Sequence, residues 1–181
     1  EAHNNLGVIF NKLQQYDNSI SCYEKAIEIN PNYTDTFNNL GVSYNELGES
    51  KKAKSCYEKA IEINPNYIDA HYNLANIFMV LVDYQKAISC YEKVIEINPN
   101  YIDAHSNLGL AFEHLGKTEK AISCYEKAIQ INPNYVPAYN NLGVLLKAID
   151  QPQKAISCYE KAIEIDPKYL NAYINFTAIH I

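Results

Sequence analysis

Five cysteines, Cys22, Cys56, Cys90, Cys124 and Cys158, stand 34 residues apart. Thiols can form disulfides, hold zinc or attack electrophiles. An odd number at long, equal spacing is no disulfide framework. Equivalent positions in stacked helices lie about 8–10 Å apart, beyond the ~7 Å Cα separation that a disulfide spans. No pair has the close C-x-x-C spacing of a zinc site. The cysteines read as small, partly buried apolar residues of a reducing compartment, cytoplasmic or nuclear.

His3, His71 and His105 share one column at the same period. Adjacent copies stand too far apart to hold one metal ion, so packed core histidines are expected and no metal site. The repeated pairs Glu24-Lys25, Glu58-Lys59, Glu92-Lys93, Glu126-Lys127 and Glu160-Lys161 read as a solvated helix face. Lys25 with Glu28, and Lys59 with Glu62, have spacing for surface ion pairs. No glycine-rich phosphate loop, G-x-S-x-G or H-E-x-x-H occurs. The segment is expected to be non-catalytic and to need no cofactor.

Asparagine offers different chemistry. Asn5, Asn39, Asn73, Asn107, Asn141 and Asn175 recur at 34. Each amide both donates and accepts, so it can pair with both polar groups of a peptide backbone. Asp35, Asp69 and Asp103 lie four residues before the Asn column, where Pro137 and Asn171 stand in the later copies. An acid in the first turn of a helix also complements the helix dipole, and the Asn column has an equally plain reading as an ordinary repeat position.

The elements that carry these columns follow from spacing. In residues 34–67, Phe37, Leu40, Gly41 and Tyr44 recur at three and four and mark one helix face. Leu47-Gly48 stops that helix, since Gly readily takes the left-handed conformation. Ala53, Tyr57, Ala60 and Ile61 mark a second helix, and Asn64-Pro65-Asn66 ends it. Each repeat is thus a helical hairpin, helix A then helix B. Val82 stands where Gly48 and Gly116 sit, which predicts a strained or reshaped turn.

The pattern x-x-L-G-x-x-[YF]…A-x-x-x-Y-x-x-A…P at period 34 resembles the tetratricopeptide repeat, TPR. Its usual Trp is replaced by His3, Phe37, His71, His105, Tyr139 and Tyr173, and Ser19 replaces a small Ala. The resemblance implies an all-α, right-handed solenoid of antiparallel helix pairs, five repeats plus one extra helix. The repeats are expected at 1–33, 34–67, 68–101, 102–135 and 136–169, with 170–181 as helix A of an incomplete sixth, all in one domain. By the same resemblance the A helices line a concave groove that binds extended protein or peptide segments.

The Asn column resembles the asparagine ladder of the TPR superhelix in protein O-GlcNAc transferases. Asp69-Ala70-His71-Tyr72-Asn73-Leu74-Ala75 and Asp103-Ala104-His105-Ser106-Asn107-Leu108-Gly109 are similar to phrases in those enzymes, and the run Tyr16 to Ala26 is similar to the SPINDLY-type O-fucosyltransferases. This resemblance implies a substrate-recruiting region of a protein O-glycosyltransferase. The alternative is a generic TPR scaffold with no linked transferase. Tyr72, Asn76, Met79 and Val80, with Leu110 and His114 in the next repeat, are expected to form an apolar anchor in the groove. The residues just before the Asn column, Asn4, Asn38, Tyr72, Ser106, Asn140 and Ile174, include no Lys, which argues against a carboxylate clamp.

Charge narrows the partners. The chain carries 15 basic and 21 acidic residues, net −6, and every basic residue is Lys. Neither nucleic acid nor an anionic membrane surface fits this balance. The chain starts inside a repeat without Met, as a piece of a longer protein would. Ile174, Phe176, Ile179 and Ile181 give the last helix an apolar face that is expected to self-associate.

Overall fold

The structure is a computed structural model that describes residues 1–179. Ile181 of the expected self-association face therefore lies outside the described residues. The chain forms two compact units, Glu1–Ile97 and Asn98–Ile181. Among the described residues there are helices and no strand. The first unit pairs α1 (Ala2–Lys12) with α2 (Tyr16–Ile29), α3 (Thr34–Glu46) with α4 (Ser50–Ile63), and α5 (Ile68–Val80) with α6 (Tyr84–Ile97). The second pairs α7 (Ile102–His114) with α8 (Thr118–Ile131) and α9 (Val136–Ala148) with α10 (Pro152–Ile165), and adds α11 (Leu170–Thr177) against α10.

One contact closes each hairpin. Tyr23, Tyr57, Tyr91, Tyr125 and Tyr159 of the B helices are buried. In four hairpins the ring packs closely against the facing A helix where a glycine leaves the backbone bare. A Cβ on Gly41 would stand 2.6 Å from Tyr57 Cε1, and one on Gly109 would stand 2.7 Å from Tyr125 Cε1. The third hairpin has Ala75 at this position. There Tyr72 packs against Tyr91 with ring centroids 5.9 Å apart and planes tilted by 58°, and the Tyr91 hydroxyl donates to Asn76 Oδ1 at 2.6 Å.

Every A-to-B turn uses the left-handed conformation. Gly48 has φ 75° and Gly116 φ 67°, while Gln14, Val82 and Asp150 have φ 58°, 61° and 59°. The Val82 turn therefore keeps the shape that glycine supplies elsewhere. It makes the same bonds, Val82 N–H to Met79 O at 3.1 Å and Asp83 N–H to Phe78 O at 2.9 Å. The result is strain. A β-branched residue in this region costs about 1–2 kcal/mol, and the extra chain entropy of glycine offsets about 0.5–1 kcal/mol. Val82→Gly should therefore raise the unfolding free energy by about 0.5–1 kcal/mol in urea titration. A loss of stability would show that Val82 makes compensating contacts.

The B-to-A linkers are built by Asn as well as Pro. Asn64 Oδ1 accepts the Asn66 N–H at 3.1 Å, and Asn132 Oδ1 accepts the Asn134 N–H at 2.9 Å. Each is an Asx turn folded around the proline. The following helix then holds the linker. His71 Nε2–H donates to Pro65 O and His105 Nε2–H to Pro99 O, both at 2.9 Å, and the Tyr139 hydroxyl reaches Pro133 O at 3.3 Å. His71 and His105 are buried, as expected of core histidines, whereas His3 is only half-buried.

The first two hairpins meet through polar side chains. Ser19 is fully buried; its Oγ donates to Tyr16 O at 2.8 Å and lies 2.8 Å from Ser43 Oγ. Asn11 Nδ2 donates to Ser43 Oγ at 2.9 Å, and Thr36 Oγ1 donates to the buried Asn4 at 3.0 Å. All five cysteines are free. Burial, with a smaller push from Glu24, Glu58 and Glu126 respectively, raises the Cys56, Cys90 and Cys158 thiols to about 11. These thiols stay protonated at neutral pH and are poor nucleophiles.

Candidate peptide-binding surface

In the first unit, Asn5 is exposed and Asn39 and Asn73 are half-buried. Asn39 lines a small cleft of about 100 Å³ with Val8, Asn11, Lys12, Tyr23 and Val42. Tyr23 belongs to helix B, so its ring passes under Gly7 and forms the floor of a cleft between two A helices. Burial holds the Tyr23 hydroxyl in its neutral form, with a pKa raised to about 12, and Cys22 adds to the shift.

Asn73 is already engaged. Its Nδ2 donates to Asn38 Oδ1 at 3.0 Å. Asn38 is buried, so it ties α3 to α5 and is no part of an open groove. Helix phase accounts for this: successive residues differ by about 100° around an α-helix, and the packing of α3 against α5 turns Asn38 inward while Asn39 stays half-buried. In the second unit Asn175 Nδ2 donates to Asn140 Oδ1 at 2.9 Å, and Asn140 Nδ2 reaches Asn141 Oδ1 at 3.4 Å. Asn140 is buried, and Asn107 and Asn141 are half-buried. The Asn–Asn tie was missed in the sequence, although its acceptors Asn38 and Asn140 open Asn-Asn-Leu-Gly phrases and its donors Asn73 and Asn175 stand in the Asn column.

The aspartates are exposed at the starts of their helices. Asp35 Oδ1 accepts the Tyr67 hydroxyl at 2.7 Å, and Asp103 Oδ1 accepts the Tyr135 hydroxyl at 2.6 Å. Burial and then Asp35 push the Tyr67 pKa upward. Each carboxylate thus fastens the first turn of one A helix to the last residue of its own repeat, the tyrosine that caps the next A helix 32 residues later.

Of the expected anchor, Tyr72 and Asn76 are half-buried through their contacts with Tyr91, Met79 is half-buried and Val80 is 71% exposed. Leu110 and His114 belong to the second unit, half-buried and exposed respectively. Among the described residues no three His, Cys, Asp or Glu side chains gather where a metal ion could be held. Nor is any described helix long and apolar enough to cross a membrane.

The tetratricopeptide repeat model matches residues 1–33, 34–67, 68–101, 102–135 and 136–169. The chain belongs to the tetratricopeptide repeat family. As a TPR chain it is a protein-interaction scaffold, of a class that is generally non-catalytic. It is similar to the crystal structure of MamA, with 28% identity and TM-score 0.84 over 91% of this chain and 96% of that one. MamA 41-end from Desulfovibrio magneticus RS-1 has the same fold, at 20% identity and TM-score 0.86 over 93% and 95% of the two chains. So does YrrB, described as a TPR protein with an unusual peptide-binding site, at 23% identity and TM-score 0.80 over 95% and 89%. No curated protein matches. These relatives lend no support to a linked glycosyltransferase.

Proposed function

We propose that this TPR segment captures extended peptide segments along the surface of its A helices, as a scaffold for complex assembly. The observation that carries the reading is the Asn39 cleft, where an amide with no internal partner stands beside the Tyr23 ring. Asn39 in the first unit and Asn141 in the second each hold peptide backbone at their own unit, and Tyr72 with Met79 offers an apolar side-chain contact in the first. A substrate-recruiting role for an O-glycosyltransferase rests on the Asn and Asp columns alone. The TPR relatives favour the scaffold.

A net hydrogen bond contributes about 0.5–1.5 kcal/mol, so the amides alone give weak, sequence-tolerant binding before the cost of ordering the peptide. The test uses a peptide selected from a displayed library. Asn39→Ala with Asn141→Ala should weaken its binding roughly tenfold with helicity unchanged. Unchanged affinity would sink the amide role. Asn73 is a poor probe, since its loss leaves the buried Asn38 oxygen without a donor. Self-association through α11 is proposed on its exposed Leu170, Tyr173 and Ile174.

A further inference from the structure

The A helices carry an aromatic residue four positions after the Leu-Gly column: Phe10, Tyr44, Phe78 and Phe112. In the fifth repeat that place holds Leu146. The B helix that follows has its own column, Lys52, Lys86, Lys120 and Lys154. Three of these lysines lie over the aromatic of their own repeat: Lys52 over Tyr44 at 5.0 Å, Lys86 over Phe78 at 5.5 Å and Lys120 over Phe112 at 5.3 Å from the ring centroid. Lys154 has no ring to cover.

The missing ring leaves space. Ile122 and Glu126 of α8, Leu142 and Leu146 of α9, and Gln151, Lys154, Ser157 and Cys158 at and along α10 wall an open-sided cavity of about 430 Å³. That volume is within the usual range for small-ligand sites. Its walls hold an orphan: Gln151 Oε1 is buried and has no hydrogen-bond partner. A buried acceptor without a donor is costly and rare in folded proteins. Lys52 and Lys86 also have an acid three residues earlier, Glu49 and Asp83, to which they are bridged. Lys154 has the neutral Gln151 there. A largely apolar cavity with room for a ring, an unspent acceptor in its wall and a cation whose ring partner is missing thus converge.

We propose that this cavity binds a tyrosine side chain presented by an extended segment of a partner protein. The ring takes the place that phenylalanine fills in the third and fourth repeats. Lys154 covers its face, as Lys86 and Lys120 cover theirs. Gln151 turns its enclosed Oε1 out to the ring, where the phenol O–H donates to it; this selects tyrosine over phenylalanine. None of the asparagines proposed to hold peptide lines this cavity, so the site stands independently of the A-helix surface.

The test titrates the whole chain with N-acetyltyrosinamide, N-acetylphenylalaninamide and N-acetyltryptophanamide and follows the methyl resonances of Ile122, Leu142 and Leu146. The tyrosine amide should bind saturably, roughly five- to tenfold tighter than the phenylalanine amide. Gln151→Leu should remove that preference. Leu146→Phe should fill the cavity and abolish binding of the tyrosine amide. If Leu146→Phe fails to fold by circular dichroism, Ile122→Phe closes the same space from the α8 wall and should do the same. Absence of saturable shifts, equal binding of tyrosine and phenylalanine amides, tighter binding of the tryptophan amide, or unchanged binding in the filled variant would overturn the proposal. The Asn39→Ala, Asn141→Ala chain should keep this binding, which separates a failure here from a failure of the peptide surface.

Discussion

Tyr125→Ala should lower the unfolding free energy by about 3–5 kcal/mol, the range for emptying a large buried aromatic site. The ring is fully buried between α8 and the bare backbone at Gly109. Its hydroxyl donates to Glu113 Oε2 at 2.9 Å. Burial, with Glu113 as a further cause, pushes the phenol pKa well above its ordinary value, so the hydroxyl keeps its proton across the stable pH range. Removing the ring unseats the α7–α8 pair, and neighbouring repeats lose the surface on which they stack. Tyr125→Phe isolates the hydrogen bond and should cost only about 0.5–1.5 kcal/mol. Tyr159→Phe should cost less still, because the Tyr159 hydroxyl is buried without a partner. Urea unfolding of the three variants checks the order. A Tyr125→Ala loss below about 1 kcal/mol would show that the hairpins do not depend on this contact.

Gly41→Ala should cost about 1–3 kcal/mol, the usual range for overpacking a tight core. The added methyl would stand 2.6 Å from Tyr57 Cε1, so the ring must move. The third repeat shows what that move needs. Ala75 is fully buried there, and Tyr91 is held by the Tyr72 ring and by Asn76. The second repeat has Asn38 and Val42 at those positions, and neither gives a displaced ring a comparable hold. Adding Val42→Asn to Gly41→Ala should therefore recover part of the loss, with a non-additive energy in a double-mutant cycle. Strict additivity would mean that Asn76 does not compensate for Ala75.

These contacts mark where the sequence spoke plainly. Pro65, Gly48 and the Tyr57 column place both helices and both turns of a repeat, because each acts through its own backbone or at short range. Val82 in a glycine position told of a strained or reshaped turn for the same reason, and the turn keeps its left-handed shape. The fate of Asn38 and Asn39 was less legible: both are polar neighbours on one helix, and which of them turns inward depends on how α3 crosses α5. The Asp35–Tyr67 tie joins residues 32 apart, too distant for any rule of helix periodicity. Both ends nonetheless lie in repeated columns. The cavity beside Leu146 was written as a single departure from an aromatic column. It gained meaning only when Lys154 and Gln151 were found around it.

The linker clasp also bears on how the first unit comes apart. His71 fastens the linker before the third hairpin to Pro65, but the corresponding place before the second hairpin holds Phe37, which has no side-chain proton to donate. At that same joint Ser19, Ser43 and Thr36 occupy positions filled in later repeats by Ala, Ile or Leu, so less apolar surface is removed from water there. Within this unit the first hairpin is accordingly the most loosely latched. Opening should begin at that end, with the amides of α1 and α2 exchanging with solvent before those of α5 and α6 in a hydrogen-exchange measurement.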